Sequence, residues 1–313
     1  MRNLSKEYRL QPLTDTYTTR FTIDSDRGAR LALHRINASA ESADSVAGEP
    51  VLLAHGTFSN HRTCSALARY LAGRGFDCWL LDYEAHGLSD TVEPAADFET
   101  LFLSGTHRAL EYVSDTTQRK VHWVGHSGGG LAVLMAIARQ PDLLDRLQSL
   151  VTLASQASDA GQLPSHRLIL RTLKLLTGAL GRVPARTLKL GPDNETATVM
   201  QQWYNWNLSA RWIGTDGIDY TKTLEKLDKL SRLPLLSLAG SGDWFIAPPD
   251  ACQRLHARLP CSDKTWLECG VQHGYSENFS HARLVSSRAS AREIWPRIGD
   301  WLTQQKTTPP KNP

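Results

Sequence analysis

A serine between glycines, in the sequence GHSGG at positions 125–129, is the feature of this chain with the clearest chemical potential. The strand-like run 120–125 and the small and aliphatic residues of 127–139 indicate a strand that turns sharply into a helix. Such a turn brings backbone segments close together, which explains the glycines. Ser127 would then stand at a helix N-terminus, where free N–H groups favour developing negative charge. The pattern predicts a serine nucleophile, although a glycine-rich turn without chemistry would fit it too.

A serine hydroxyl is a poor nucleophile at neutral pH, so it needs a base within hydrogen-bond reach and a carboxylate that orients the base. Asp243 follows an apolar run that ends at residue 240, and it lies in a turn that contains glycines. This position suits the orienting carboxylate, although an aspartate that only caps the next helix would fit as well. His273 and His281 are both candidates for the base, because both follow the last predicted strand and precede the last predicted helix. Spacing alone does not choose between them.

The elements that must position these residues alternate along most of the chain. Two segments with alternating polarity, 16–23 and 29–36, flank a turn and predict an antiparallel hairpin. Apolar runs predict buried strands, and helical patterns separate most of them; the strands are expected at 50–56, 76–82, 120–125, 147–154, 234–240 and 264–269. This alternation predicts an α/β fold with a mainly parallel, doubly wound sheet. Ligands of such sheets bind at the carboxyl ends of the strands.

The alternation is interrupted once, by a long segment of mostly helical character. We therefore expect one core domain formed by residues 1–154 and 234–305, with a helical cap or lid inserted at 155–233. The end of the chain, 306–313, is rich in proline and lysine and is expected to be a flexible tail.

The predicted cap contains a strongly amphipathic segment. Between Ser165 and Leu190 there is no acidic residue, and apolar and basic positions fall on opposite helical faces, namely Ile169, Leu173, Leu176 and Leu180 against Arg167, Arg171 and Lys174. We favour a cap helix whose apolar face packs on the core; weak contact with an anionic membrane surface is the alternative. An aromatic cluster further on either lines an apolar acyl pocket or anchors the cap: Trp203, Tyr204, Trp206 and Trp212.

The amino-acid composition narrows the classes of protein to which this chain can belong. The chain has 313 residues, 41% hydrophobic and 21% charged, and a net charge of +3, which is ordinary for a soluble globular protein and does not point to nucleic acid. Five scattered cysteines without C-x-x-C spacing suggest a reducing compartment, and we expect no metal and no cofactor. The polar N-terminal segment and the lack of a long apolar run lead us to expect a cytoplasmic protein. The oligomeric state stays open.

From about residue 50 the chain resembles the α/β-hydrolase family. Several blocks resemble its acid-lipase and esterase branch: VLLAHG at 51–56, GFDCWL at 75–80, GHSGG at 125–129, NFSH at 278–281 and SAREIW at 290–295. The resemblance implies an α/β-hydrolase fold and the chain order serine, acid, histidine. In that branch the catalytic histidine follows a short stretch containing Tyr and Asn and lies shortly before the last helix, which favours His281 over His273.

The resemblance also implies a mechanism and a substrate class. Ser127 would attack an acyl carbon, His281 would act as the base that Asp243 orients, and the backbone N–H groups of Thr57 and Gly128 would form the oxyanion hole. We therefore expect a serine hydrolase of small-molecule carboxylic esters with an apolar acyl or alcohol portion. Acyl transfer to another acceptor, and cleavage of thioesters, amides, polyesters or C–C bonds, remain alternatives, as does a noncatalytic ligand-binding protein on this fold.

Overall fold

The computed structural model describes residues 16–37 and 48–305, so the predicted tail at 306–313 lies outside the described residues. The strands of this part of the chain are β1 (Tyr17–Asp24), β2 (Arg30–Asn37), β3 (Pro50–Ala54), β4 (Asp77–Leu81), β5 (Val121–His126), β6 (Leu147–Leu153), β7 (Arg182–Val183), β8 (Glu195–Thr196), β9 (Leu235–Gly240) and β10 (Lys264–Cys269). Its helices are α1 (His61–Ala72), α2 (Phe98–Thr117), α3 (Gly128–Arg139), α4 (Pro164–Leu180), α5 (Ala197–Ser209), α6 (Tyr220–Glu225), α7 (Pro249–Arg258), α8 (Arg283–Ser286), α9 (Arg288–Glu293) and α10 (Trp295–Gln304). Short 3₁₀ helices cover Pro141–Arg146, Asp228–Arg232 and Val271–His273.

Eight of these strands form one sheet in the order β1-β2-β4-β3-β5-β6-β9-β10. β1 and β2 form an antiparallel hairpin, and β2 pairs antiparallel with β4. All pairings from β4 across to β10 are parallel. The predicted N-terminal hairpin and the mainly parallel sheet are therefore confirmed. Parallel neighbours need crossover connections, which is why helical patterns separate most of the strands along the chain.

The central strands are buried on both faces, so their sequences are continuously apolar rather than alternating. Successive residues of β3 point to opposite faces. Leu52 packs with Trp79 and with helices α2 and α3, whereas Val51 and Leu53 pack on the other side with helices α1 and α10. Helices thus cover the sheet on both faces, as expected for a doubly wound fold.

Residues 155–233 connect β6 to β9 without adding a strand to the eight-stranded sheet. This helical insertion carries α4, α5 and α6; α4 packs on α5, and α5 packs on α2 of the core. Neither these helices nor any other helix within the described residues has the length and apolar character needed to span a bilayer.

The aromatic residues of the helical insertion divide between the two predicted roles. Trp203 and Tyr204 line the large cavity described below. Trp206 packs edge-on against Phe98 of α2, with 5.2 Å between ring centroids, and Trp212 lies buried beside Trp206. The first two residues therefore shape the cavity, Trp206 anchors the helical insertion to the core, and Trp212 packs inside the insertion between Trp206 and Tyr220.

Helix α4 is rotated relative to the orientation that we expected. The structure buries Leu170 and Thr177 in this helix, whereas Leu176 and Leu180 are 54% and 65% exposed. The expectation that Leu176 and Leu180 pack on the core was therefore wrong. Leucine and isoleucine occupy most of the circumference of this helix, so the pattern does not define a single inner face.

Candidate active site

Ser127 lies in the turn between β5 and α3 with φ +54° and ψ −119°, a strained conformation for a residue with a side chain. The end of β6 supports this turn: the Ser127 N–H donates to the Leu153 carbonyl at 2.8 Å, and the Ser155 hydroxyl donates to the Ser127 carbonyl at 2.9 Å. A Cβ atom on Gly125 would lie 2.4 Å from the carbonyl oxygen of Gly129, so only glycine fits there. The expected strand–turn–helix geometry is therefore present, with Ser127 at the N-terminus of α3.

Asp243 and His281 form a hydrogen-bonded pair beyond the end of β9. The Nδ1–H of His281 donates to Oδ2 of Asp243 at 2.5 Å, and the backbone N–H groups of Ile246 and Ala247 both donate to Oδ1 at 3.1 Å. Burial alone would raise the pKa of Asp243, but the hydrogen bond and charge of His281 and the two N–H donors outweigh it and hold that pKa below its usual range. Asp243 is therefore ionised at neutral pH. It holds the His281 ring through Nδ1, and Nε2 of the ring takes no part in this hydrogen bond.

The structure brings His281, and not His273, to Asp243. His273 ends the 3₁₀ helix Val271–His273, its side chain is 43% exposed, and its Nε2 lies 3.5 Å from Glu268. The loop with His281 is instead tied to the end of β9, because the Gly242 N–H donates to the carbonyl of Phe279 at 2.9 Å. The choice between the two histidines depends on this loop path, which spacing in the sequence does not reveal.

The turn after β3 lies directly against the turn that carries Ser127. A Cβ atom on Gly56 would lie 2.6 Å from the Cβ of Ser127, and the neighbouring Thr57 lines the same cavity as Ser127 and Gly128. His55 stabilises this turn: its Nδ1–H donates to the Gly56 carbonyl at 2.8 Å, and its Nε2 accepts from the Tyr83 N–H at 3.2 Å. Because burial lowers the pKa of His55 to about 4, the ring is neutral and can hold both hydrogen bonds at once.

A cavity of about 480 Å³ opens beside Ser127. Its walls come from the core and from the helical insertion, and they are largely apolar: Phe58, Phe98, Leu131, Leu173, Leu176, Leu180, Val183, Leu188, Leu190, Met200, Trp203, Tyr204, Phe245 and Ile246 line it. Among the described residues that line this cavity there is no carboxylate, and Arg182 is the one charged side chain. Its size and lining suit an apolar small molecule or acyl chain.

His126 is a functional candidate that the sequence reasoning missed. Its Nε2–H donates to the carbonyl of His281 at 3.1 Å, and the two imidazole rings lie 4.8 Å apart. Burial lowers the pKa of His126 to about 3, so the ring stays neutral. His126, the residue before Ser127, therefore ties the turn after β5 to the backbone of the loop that carries His281. The sequence signal was its place beside Ser127, but its partner lies 155 positions away.

A second cluster, His34, His61 and Asp82, has the side-chain types of a metal site, and its ligand atoms lie within 4.8 Å of one another. The carboxylate accepts hydrogen bonds from both imidazoles and from the backbone N–H of His61. Although burial opposes ionisation, these hydrogen bonds hold the pKa of Asp82 well below its usual range. The adjoining cavity is lined by Arg62 and Arg69, which disfavour a cation. The cluster is a hydrogen-bonded carboxylate that fixes the start of α1 on the sheet.

Comparison with solved structures finds the same fold in several hydrolases. An esterase from Thermogutta terrifontis matches with a TM-score of 0.62 and 17% identity over 92% of this chain and 100% of that one. A monoacylglycerol lipase from Paleococcus ferrophilus matches with a TM-score of 0.57 and 19% identity over 94% and 100%. Est1E from Butyrivibrio proteoclasticus, with ferulic acid bound, matches with a TM-score of 0.59 and 15% identity over 91% and 98%. These identities establish a shared fold and nothing about substrates.

No curated protein matches the chain significantly in sequence. A family model does match it, over residues 47–269, and its description is serine aminopeptidase, S33. The matched region runs from just before β3 to the end of β10 and therefore contains Ser127, the helical insertion and Asp243. Since it also covers most of the chain, this protein is a member of the serine aminopeptidase S33 family and an α/β-hydrolase.

Proposed function

We propose that this protein hydrolyses carboxylic esters with an apolar acyl portion through a covalent acyl-enzyme on Ser127. The observation that carries the proposal is the apolar cavity at whose wall Ser127 lies. The Asp243–His281 pair, tied to the nucleophile turn through His126, supplies the base that a serine needs.

The proposed mechanism assigns a residue of this chain to each step. Ser127 Oγ attacks the ester carbonyl carbon while His281 Nε2 accepts its proton, and Asp243 stabilises the imidazolium that forms. The backbone N–H groups of Thr57 and Gly128 donate to the oxyanion of the tetrahedral intermediate. His281 then returns the proton to the departing alkoxide, which leaves the acyl group on Ser127. Water then attacks the acyl carbon while His281 accepts its proton. The bond between the acyl carbon and Ser127 Oγ breaks, His281 returns the proton to Ser127 Oγ, and the acid is released.

The cavity favours an ester over the N-terminus of a peptide. An aminopeptidase must hold the free ammonium of its substrate, and a carboxylate in the site is the simplest partner for that charge. The described residues that line the cavity include no carboxylate, and their one charged side chain, Arg182, is itself a cation. The apolar walls instead suit a hydrocarbon acyl chain.

A panel of p-nitrophenyl esters with short, medium and long acyl chains tests the proposal. We expect hydrolysis by the wild type with a preference for medium or long chains, and little release of p-nitroaniline from amino-acid p-nitroanilides. Ser127→Ala should lose hydrolysis and labelling by a fluorophosphonate probe. His281→Ala should lose activity by several orders of magnitude, while His273→Ala serves as the matched control and should keep it.

Three outcomes would contradict the proposal. If the fluorophosphonate probe labels neither the wild type nor Ser127→Ala, a noncatalytic binding protein is favoured. Faster cleavage of the p-nitroanilides than of the p-nitrophenyl esters would favour an aminopeptidase. An added alcohol or amine that outcompetes water for the acyl-enzyme would favour an acyltransferase. Loss of activity in His273→Ala but not in His281→Ala would overturn the assignment of the base.

A further inference from the structure

Exposed leucines are concentrated in one stretch of the helical insertion, part of which lines the cavity. Of the twelve large hydrophobic side chains that are exposed among the described residues, seven lie between positions 163 and 190: Leu163, Leu168, Leu175, Leu176, Leu180, Leu188 and Leu190. Trp244 and Ile246, also exposed, lie on the loop after β9, and the Trp244 ring lies 5.7 Å from that of His166 in α4. Contiguous exposed apolar patches on soluble proteins mark interaction sites.

The cavity alone does not explain this surface. Leu176, Leu180, Leu188 and Leu190 line the cavity, so a bound acyl chain would cover them in part. Leu168 and Leu175 do not line it, although they are 66% and 75% exposed. They stand seven residues apart, or about two helical turns, and therefore share one face of α4. That face lies opposite the buried Leu170 and Thr177, so the side chains of Leu168 and Leu175 point towards solvent.

The charges of the same region are all of one sign. The segment 165–190 contains Arg167, Arg171, Lys174, Arg182, Arg186 and Lys189 and no acidic residue. Arg186 forms an ion pair with Asp193, which lies outside the segment. Within the described residues, the other five cations have no ion-pair partner. The region therefore presents uncompensated positive charge next to exposed hydrocarbon.

We infer that α4 and the segment 182–190, here called the leucine surface, dock the protein on an anionic lipid surface. Leu168 and Leu175 insert among the acyl chains, and the unpaired cations contact the headgroup phosphates. The cavity mouth then faces the lipid, so an acyl chain passes from the bilayer to Ser127 without crossing water. Resting on the proposed function, this docking identifies the substrate class as acyl esters of membrane lipids.

A second copy of this chain is a less favourable occupant of the leucine surface. In a twofold dimer the same patch faces itself, so the unpaired cations of one copy would meet those of the other. An anionic lipid surface neutralises these charges, and it accepts the leucines as well. Charge complementarity therefore favours an anionic lipid surface over a second copy of the chain.

Vesicle flotation of the Ser127→Ala protein tests docking without lipid breakdown. We expect binding to vesicles of phosphatidylcholine with phosphatidylglycerol, weak binding to phosphatidylcholine alone, and loss of binding at high salt. The double variant Leu168→Ser/Leu175→Ser should bind anionic vesicles about tenfold or more weakly, since two inserted leucines are lost. Leu88→Ser, which removes a 54% exposed leucine elsewhere, is the control and should bind normally.

The contribution of the positive charges to docking is also tested by vesicle flotation. Arg167→Gln/Arg171→Gln should weaken binding to anionic vesicles by about tenfold or more, whereas Arg20→Gln/Arg62→Gln, at exposed positions outside the leucine surface, should not. With Ser127 restored, all of these variants should hydrolyse a short soluble ester at the wild-type rate, which shows that they fold.

Equal binding to both kinds of vesicle, absence of binding, or binding that the leucine variant leaves unchanged would overturn the inference. So would a dimer, measured by analytical ultracentrifugation, that the leucine variant dissociates. Vesicle binding by a protein that cleaves no ester would instead refute the proposed function and leave docking intact.

Discussion

At the scale of single residues, the candidate site depends on charges held in defined states by burial and hydrogen bonds. Asp243 stays ionised although it is buried, because His281 and two backbone N–H groups donate to it. His55 and His126 stay neutral because burial lowers the pKa of each. The ionised carboxylate orients the His281 ring, and the neutral rings of His55 and His126 hold the turn after β3 and the loop of His281 close to Ser127.

Replacing Asp243 by Asn tests the orienting role. The amide keeps the shape of the side chain but loses the charge that stabilises the imidazolium and selects its tautomer. We expect kcat for a p-nitrophenyl ester to fall by up to about 10⁴-fold with little change in KM. Asp250→Asn, at the start of α7, is the control. A fall of less than tenfold would argue against a carboxylate-oriented base.

The buried neutral histidines predict a loss of stability in mild acid. Their folded pKa values, about 4 for His55 and about 3 for His126, lie below the ordinary value, so the unfolded chain binds protons first as the pH falls below about 6.5. Each ring should then reduce the free energy of unfolding by about 1.4 kcal/mol per pH unit until its folded pKa is reached. Urea unfolding at several pH values between 7 and about 4 measures this slope. In His126→Phe the slope should be shallower; an unchanged slope would contradict the neutral, buried state of His126.

At the scale of elements, the ends of β3, β5 and β9 each turn tightly so that side chains from distant parts of the chain meet. The turn after β9 lies against the histidine loop, where a Cβ atom on Gly242 would lie 2.5 Å from the carbonyl oxygen of Asn278. The position of His281 therefore depends on the absence of a side chain at residue 242.

Gly242→Ala tests this dependence. The methyl group should displace the histidine loop, and a displacement of about 1 Å can cost about 100-fold in rate. We expect kcat to fall by one to two orders of magnitude while circular dichroism shows a folded protein. Gly178→Ala, at an exposed position of α4, is the control; a methyl group there meets only the side-chain amide of Gln201, at 3.2 Å, and kcat should stay unchanged. Unchanged kcat in Gly242→Ala would argue against the close approach.

At the scale of the whole molecule, the cavity is formed jointly by the core and the helical insertion. Residues of the core, such as Leu131, form one side of it, and residues of the insertion, such as Met200, form another. Acyl chain length should therefore be limited by the volume that the insertion leaves free.

Met200→Trp should reduce that volume. We expect kcat/KM for long-chain p-nitrophenyl esters to fall by about tenfold or more, because the larger side chain excludes the end of the acyl chain, while short-chain esters are cleaved as by the wild type. Leu168→Trp, outside the cavity, is the control. Equal losses for all chain lengths would point to misfolding or to a substrate bound elsewhere.

Local patterns in the sequence were enough to predict the sheet, the hairpin, the turn at Ser127 and an aspartate beyond β9. Each depends on residues close together in the chain, whose periodicity and turn chemistry are set by local sterics. Which side chains of the site contact one another could not be predicted from local patterns. The contact of Asp243 with His281 spans 38 positions, and that of His126 with the His281 carbonyl spans 155.

Tertiary structure alone also decided which face of α4 is buried and which is exposed. A helix with leucines around most of its circumference can bury several different faces, and the face that is buried depends on which neighbours it meets. In this protein Leu170 and Thr177 are buried, and Thr177 contacts Tyr204 of α5. Leu176 and Leu180 line the cavity, and Leu168 and Leu175 lie outside it and are exposed. Local sequence therefore determined which elements form, and the packing of distant elements decided which side chains meet, because only packing brings them within contact distance.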